Sequence, residues 1–243
     1  MIYVLLFLVG IIFGSFYNVV GLRLSNDESI VYPPSHCTKC NHRLHSLDLI
    51  PIFSFLFLKG RCRYCNERIS IKYPIFEFIT GILFVLCYIK FGFSINLLIS
   101  LIFCSMLVMI TISDINTFII PDHILFTCGI LIFIIYLFEF KTFAFDYLKD
   151  GIISFIFMYG VKLIGNFIFR KESMGDGDIK LMSIVGMVIG YKNVIISLFL
   201  AAYLGLPYAI YIMIKKDINC ELPFGPFLSL ASLILLFVDF SFI

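Results

Sequence analysis

A chain of 243 residues that is 61% hydrophobic, only 14% charged and has a mean hydropathy of +1.04 falls outside the soluble globular classes and reads as an integral membrane protein. Its net charge of +2 is too small to argue for a nucleic-acid partner. The eight cysteines divide into four in one polar segment (Cys37, Cys40, Cys62, Cys65) and four beside apolar runs (Cys87, Cys104, Cys128, Cys220), the latter read as inert packing.

The first apolar run, Ile2 to Leu22, is read as a retained span that leads into further membrane-like sequence. Gly10, Gly14 and Gly21 suit close helix packing, and Asn18 is polar at membrane depth, where a helix–helix hydrogen bond is the expected use. Residues 24–73 form the one sizeable polar segment. Inside it, the run from Leu49 to Leu58 is apolar but, at about ten residues, too short to cross a core of roughly 30 Å, so it is expected against the membrane face or on the other spans. Further spans are predicted near 74–90, 94–113, 119–138, 150–169, 179–190, 193–214 and 223–242, with a kink at Pro207. The fold class is therefore all-α and polytopic, with about eight transmembrane helices and a small loop domain between the first and second.

The basic residues orient it. With eight spans, thirteen lysines and arginines fall on the side of the long loop and four (Lys90, Lys141, Lys149, Lys192) on the other. Positive charge collects in the cytoplasm, so the loop faces inward and the N-terminus outward.

Cys37-x2-Cys40 and Cys62-x2-Cys65, separated by 21 residues, have the spacing of two knuckles that clamp one tetrahedral ion. Four thiolates leave no open coordination position, so the expectation is structural zinc that folds a loop too small for its own core. Disulfides are the competing reading, disfavoured by a reducing compartment. His36, His42 and His45 are read as solvated or supporting rather than as ligands. The surrounding basic residues are available to anionic lipid headgroups or an acidic ligand.

The carboxylates carry the functional reading. Asp114 ends the third predicted span, and Asp178 follows Gly175-Asp176-Gly177 at the start of the sixth. Ionisable groups at membrane depth are costly and mark function. Two carboxylates together share one proton, which is the aspartic-protease arrangement: one activates water while the other polarises the scissile carbonyl. The competing reading is a turn with solvated acids. Asp122 and Asp176 are the alternative members of a pair, and Asp122 is also read as a cap for the helix after Pro121. Two other classes stay open: an ion- or proton-coupled transporter using the same acids, and a zinc-stapled membrane scaffold without catalysis.

Several motifs in order resemble the type IV prepilin peptidases: Gly14-Ser15-Phe16-Tyr17-Asn18-Val19-Val20 with Arg23-Leu24, the two cysteine pairs, Tyr73-Pro74 with Glu77, Asp114 with Ile120-Pro121-Asp122, and Met174-Gly175-Asp176-Gly177-Asp178-Ile179-Lys180-Leu181. The resemblance implies a bifunctional leader peptidase and N-methyltransferase of the bacterial inner membrane. It implies Asp114 and Asp178 as catalytic aspartates of a GxGD protease facing the cytoplasm, and prepilins or pseudopilins with short basic leaders as substrates. It further implies S-adenosylmethionine as methyl donor, with Gly60 associated with methyl transfer. The implied domains are a first span (1–23), a zinc domain (24–73) and a peptidase domain (74–243). Asp48-Leu49-Ile50-Pro51 departs from the family's Asp-Asn-Ile-Pro, and Phe55 replaces its Trp.

Overall fold

The computed structural model describes residues 1–215 and 223–238, so Lys216, Cys220 and the last residues of the eighth predicted span lie outside the described residues. Among the described residues the regular structure is helical: α1 (Ile2–Leu24), α2 (Phe53–Phe57), α3 (Lys72–Phe91), α4 (Ile95–Thr117), α5 (Asp122–Phe140), α6 (Ala144–Phe169), α7 (Asp176–Ile189), α8 (Tyr191–Lys215) and α9 (Gly225–Phe237). Six of these, α1, α3, α4, α5, α6 and α8, are long and apolar enough to cross a membrane. The sixth and eighth predicted spans appear as α7 and α9, of 14 and 13 residues. The chain forms two compact units, Met1–Ile112 and Ser113–Ile243.

In the first unit the small residues of α1 set the packing. A Cβ on Gly10 would fall 2.7 Å from the Gly81 Cα, and one on Gly14 would fall 2.8 Å from the Glu77 Cα, so α1 and α3 touch backbone to backbone. Gly21 does the same against α4, where its Cβ would meet the Met109 carbonyl at 2.8 Å. Tyr17 donates from its hydroxyl to Ser105 Oγ at 2.6 Å, and Asn18 donates from Nδ2 to the Tyr73 carbonyl at 3.2 Å. Asn18 is thus a helix–helix strut, because its amide has no water to bond at that depth. On the outer faces Leu5, Leu8, Ile12 and Phe16 stay exposed, as contact with hydrocarbon requires. Cys87 and Cys104 are buried with their sulfurs 3.5 Å apart, a thiol contact between α3 and α4.

In the second unit α7 is enclosed rather than lipid-facing, packing against α5, α6, α8 and α9. Ile179, Leu181, Met182, Val185 and Met187 are all buried. Gly151 makes room for the Met187 side chain and Gly186 for that of Ser154, so each helix offers a glycine to a side chain of the other and α6 and α7 pack closely. This enclosure explains why α7 is short: a helix surrounded by protein need not match the bilayer's thickness. Gly190, at φ 83°, ends it and passes the chain directly into α8. Pro207 lies inside α8, where it removes one backbone donor.

Candidate active site

Asp114 lies in the last full turn of α4, after which Phe118 adopts a left-handed φ of 57° and the chain runs extended through Pro121, the N-cap of α5. Asp178 is the third residue of α7, following its N-cap Gly175. The two side chains belong to the same compact unit, and both residues are buried, Asp114 at 5% and Asp178 at 8% exposure. Asp178 turns its carboxylate back toward the Gly175 backbone N–H, the reciprocal half of a capping box, and lies within electrostatic range of Asp114. Asp114 accepts a hydrogen bond through Oδ2 from the Gly225 N–H at 3.0 Å.

Glycines make this convergence sterically possible. A Cβ on Gly225 would fall 2.9 Å from Asp114 Oδ2 and 3.4 Å from Ile120 Cδ1, and one on Gly177 would fall 2.8 Å from Ile120 Cβ. Ile120 therefore wedges between the beginnings of α7 and α9, where only glycine leaves room for it. Gly225→Ala is expected to push the Asp114 carboxylate aside and lower kcat for leader cleavage by about 100-fold, since a misplacement near 1 Å costs on that order. Steady-state kinetics with a pilin leader peptide check this, and an unchanged kcat would remove Gly225 from the site.

The neighbouring acids are committed elsewhere. Asp122 receives Lys180 Nζ at 2.7 Å on both carboxylate oxygens, and Asp176 pairs with Lys162 Nζ at 2.5 Å. Their side chains remain 48% and 74% exposed. Asp122 is the first residue of α5 but makes no capping bond, so the expectation that it caps this helix is corrected: Pro121 is the N-cap and Lys180 takes the Asp122 carboxylate. Of the four acids weighed from the sequence, the fold buries Asp114 and Asp178 near each other and leaves the other two on lysines. Gly225 and Lys162 were missed. The signals for them were the Gly225-Pro226 pair opening an apolar run and a lone lysine inside one.

The cysteines form a second centre, in the first unit. Each pair sits on a knuckle of the same design. The Cys37 N–H donates to the His42 carbonyl and the Asn41 N–H returns to Cys37; likewise the Cys62 N–H donates to Glu67 and the Asn66 N–H returns to Cys62. Asn41 and Asn66 are left-handed at φ 54° and 57°, closing both turns. The four sulfurs lie within 4.8 Å of one another, and Cys37 and Cys65 are 3.8 Å apart. That matches the edge of about 3.8 Å expected for a tetrahedron with Zn–S near 2.3 Å. The residues fit a metal, and a four-thiolate donor set suits zinc. Backbone N–H groups of Cys40 and Lys39 bring the Cys37 thiol down to about 6, favouring the thiolate that a metal needs. The histidines stay outside this sulfur cluster: His36 bonds the Pro34 carbonyl and His42 lies on the Tyr64 ring at 3.6 Å.

Asp48 joins the knuckles, accepting from Arg63 Nε at 2.7 Å and from the His45 N–H at 3.2 Å. Burial pushes its carboxyl upward, but these donors hold it below the usual carboxylate value, so the joint persists until pH falls through that lowered range. Gly60, at φ 68°, turns the chain onto the Phe55 ring, and a Cβ there would fall 2.9 Å from it.

Glu77, buried on α3, anchors the same segment. It accepts the Ile52 N–H at 2.7 Å and the Ser15 hydroxyl. Ile52 sits at φ 61°, ψ −52°, the strained γ-turn conformation, with the Phe53 N–H reaching the Pro51 carbonyl at 2.6 Å. A β-branched residue keeps that conformation only where its surroundings enforce it. Glu77→Ala is expected to release residues 49–60, seen as faster amide exchange there, whereas Glu77→Gln, which keeps an acceptor, changes exchange little. Equal exchange in both variants would remove Glu77 as the anchor.

Residues 8–91 match the family model for the bacterial peptidase A24 N-terminal domain, and residues 101–210 match that for the type IV leader peptidase family. A prepilin leader peptidase/N-methyltransferase of Bacillus subtilis is 32% identical over 237 residues, covering 95% of this chain and 92% of its own. A type 4 prepilin-like proteins leader peptide-processing enzyme of Escherichia coli is 30% identical, covering 96% and 93%. A prepilin leader peptidase/N-methyltransferase of Klebsiella pneumoniae is 32% identical, covering 81% and 89%. No solved structure matches. With six helices long and apolar enough to cross a membrane and relatives named as peptidases, the chain is of the polytopic membrane peptidase class; it belongs to the type IV leader peptidase family.

Proposed function

We propose that the chain cleaves the short basic leaders of type IV prepilins or pseudopilins with the dyad Asp114 and Asp178, and then methylates the new N-terminus. One observation carries the peptidase reading: two buried carboxylates approach from separate helices while both neighbouring acids are held by lysines. Close, desolvated carboxylates cannot both ionise, so the pair holds one proton. The ionised member takes a proton from water as its oxygen attacks the scissile carbonyl, and the protonated member donates to the carbonyl oxygen. Collapse of the tetrahedral intermediate breaks the C–N bond: the carboxyl that took the proton of water passes it to the leaving amine while the other carboxylate takes a proton from the diol hydroxyl, so the pair again holds one proton.

In this reading Cys37, Cys40, Cys62 and Cys65 hold a structural zinc that shapes the 24–73 module, and Gly60 belongs to methyl transfer. S-adenosylmethionine would supply the methyl group to the freed α-amine, its S–CH3 bond breaking to leave S-adenosylhomocysteine as the amine loses one proton. Division into a first span (1–23), the zinc module (24–73) and a peptidase region (74–243) follows from these roles. The enzyme is read as an eight-span protein of the bacterial inner membrane, with α7 and α9 completing the count and both centres facing the cytoplasm. The basic residues on that side support this orientation. The transporter and scaffold readings lose ground because family membership favours peptidase chemistry.

The test is mass spectrometry of a prepilin N-terminus after incubation with the purified enzyme and S-adenosylmethionine. A new N-terminus heavier by one methyl group is expected. An intact leader, with ion flux in proteoliposomes, would select the transporter.

A further inference from the structure

Lys162 lies inside α6, beside Tyr159, Leu163 and Ile164, and its side chain is only 11% exposed. No motif considered above contains it. An ammonium in such surroundings is costly unless paired. Its partner is Asp176, the first residue of α7 and two residues before Asp178. The same stretch of α6 grips the approach to α7 twice more: Ser173 Oγ donates to the Lys162 carbonyl at 3.3 Å, and the Ser173 N–H donates to Asn166 Oδ1 at 2.8 Å. Gly165 leaves the space that the Ser173 side chain occupies.

Such fastening has a physical reason. Gly175 and Gly177 impose little conformational preference, so the turn that carries Asp178 is not rigid by itself. Asp176 is 74% exposed and does not need Lys162 for solvation, so what the pair adds is a fixed position for the first turn of α7. Lys180 and Asp122 tie the following turn of α7 to α5, and Glu172 is a further charge near Lys162.

We propose that Lys162 is a positioning residue for Asp178, its ion pair with Asp176 fixing the Ser173–Gly177 approach and thereby the place of the Asp178 carboxylate against Asp114. This rests on the dyad reading above. The residue acts through the turn and touches no substrate.

The experiment uses the full chain in detergent with a pilin leader peptide, comparing Lys162→Met, Lys162→Arg, Asp176→Asn, the Lys162→Met/Asp176→Asn double variant and Asp178→Asn. Amide exchange over 173–178 is measured in each. Lys162→Met and Asp176→Asn are each expected to lose about 10-fold in kcat with KM within about 3-fold, a cost in keeping with a slightly displaced catalytic group. The double variant is expected to be no worse than the poorer single, because both remove one interaction. Lys162→Arg keeps the pair and stays within about 3-fold of wild type, and exchange at 175–178 rises in Lys162→Met and not in Lys162→Arg. Losses that multiply in the double variant, or unchanged exchange in Lys162→Met, overturn the proposal. If Asp178→Asn cleaves like wild type, the dyad reading fails separately, and exchange at 175–178 still decides whether Lys162 holds the turn. Should Lys162→Met fail to fold, the exposed Asp176→Asn carries the same measurements.

Discussion

Asp114→Asn and Asp178→Asn are each expected to lower leader cleavage by about 10³-fold or more, with the protein still folded and membrane-inserted. The size follows from the chemistry: general acid–base steps contribute about 10² to 10⁴ each, and an amide can neither take the proton of water nor pass one to the carbonyl. Because the carboxylates act as one unit, the double variant should be little worse than either single. Folding is expected to survive, since an uncharged amide replaces a buried carboxylate of nearly equal volume, and Asp114→Asn retains an oxygen that can accept the Gly225 N–H. A gel-shift assay of prepilin processing measures the loss, and helical circular dichroism in detergent checks the fold. Wild-type cleavage by either variant would remove that residue from the dyad.

The second large effect is expected at the cysteines, with a different pattern. Cys62 is 4% exposed and its backbone closes one knuckle. In the proposed zinc site Cys62→Ser would leave three sulfur ligands, and binding in structural zinc sites supplies folding energy on the order of 10 kcal/mol. Metal content should fall from about one per chain to well below half, and residues 37–65 should exchange rapidly. N-methylation is expected to drop about 10-fold or more, the scale set by losing a shaping element of a site. Cleavage should stay within about 3-fold, because Asp114 and Asp178 belong to the other compact unit. Both products are read in one mass spectrum. Loss of both activities to the same degree would show that the module serves cleavage too.

What the sequence made legible follows from cost. Charge is expensive beside apolar runs, so Asp114 and Asp178 stood out from any pattern of packing. Paired thiols at knuckle spacing are rare outside metal sites, so the sulfur cluster was visible before any fold was known. Polar residues inside spans need partners, and Asn18 found the Tyr73 carbonyl as expected. The rest needed three dimensions. Gly225 bonds Asp114 across 111 residues, and a glycine opening an apolar helix looks like an ordinary helix start. Asp122 and Asp176 could not be separated from Asp178 by composition, because only the fold brings Lys180 and Lys162 to them. That α7 is enclosed by protein was hidden for the same reason, since hydropathy measures apolarity without saying whether lipid or protein surrounds it.

The bond from Gly225 to Asp114 also bears on biogenesis. Asp114 emerges from the ribosome early in the second compact unit, and the group that orients its carboxylate belongs to α9, the last helix described. On the proposed dyad, a nascent chain threading into the bilayer would carry an unfinished centre until α9 docks, and is expected to become competent to cut peptides only then.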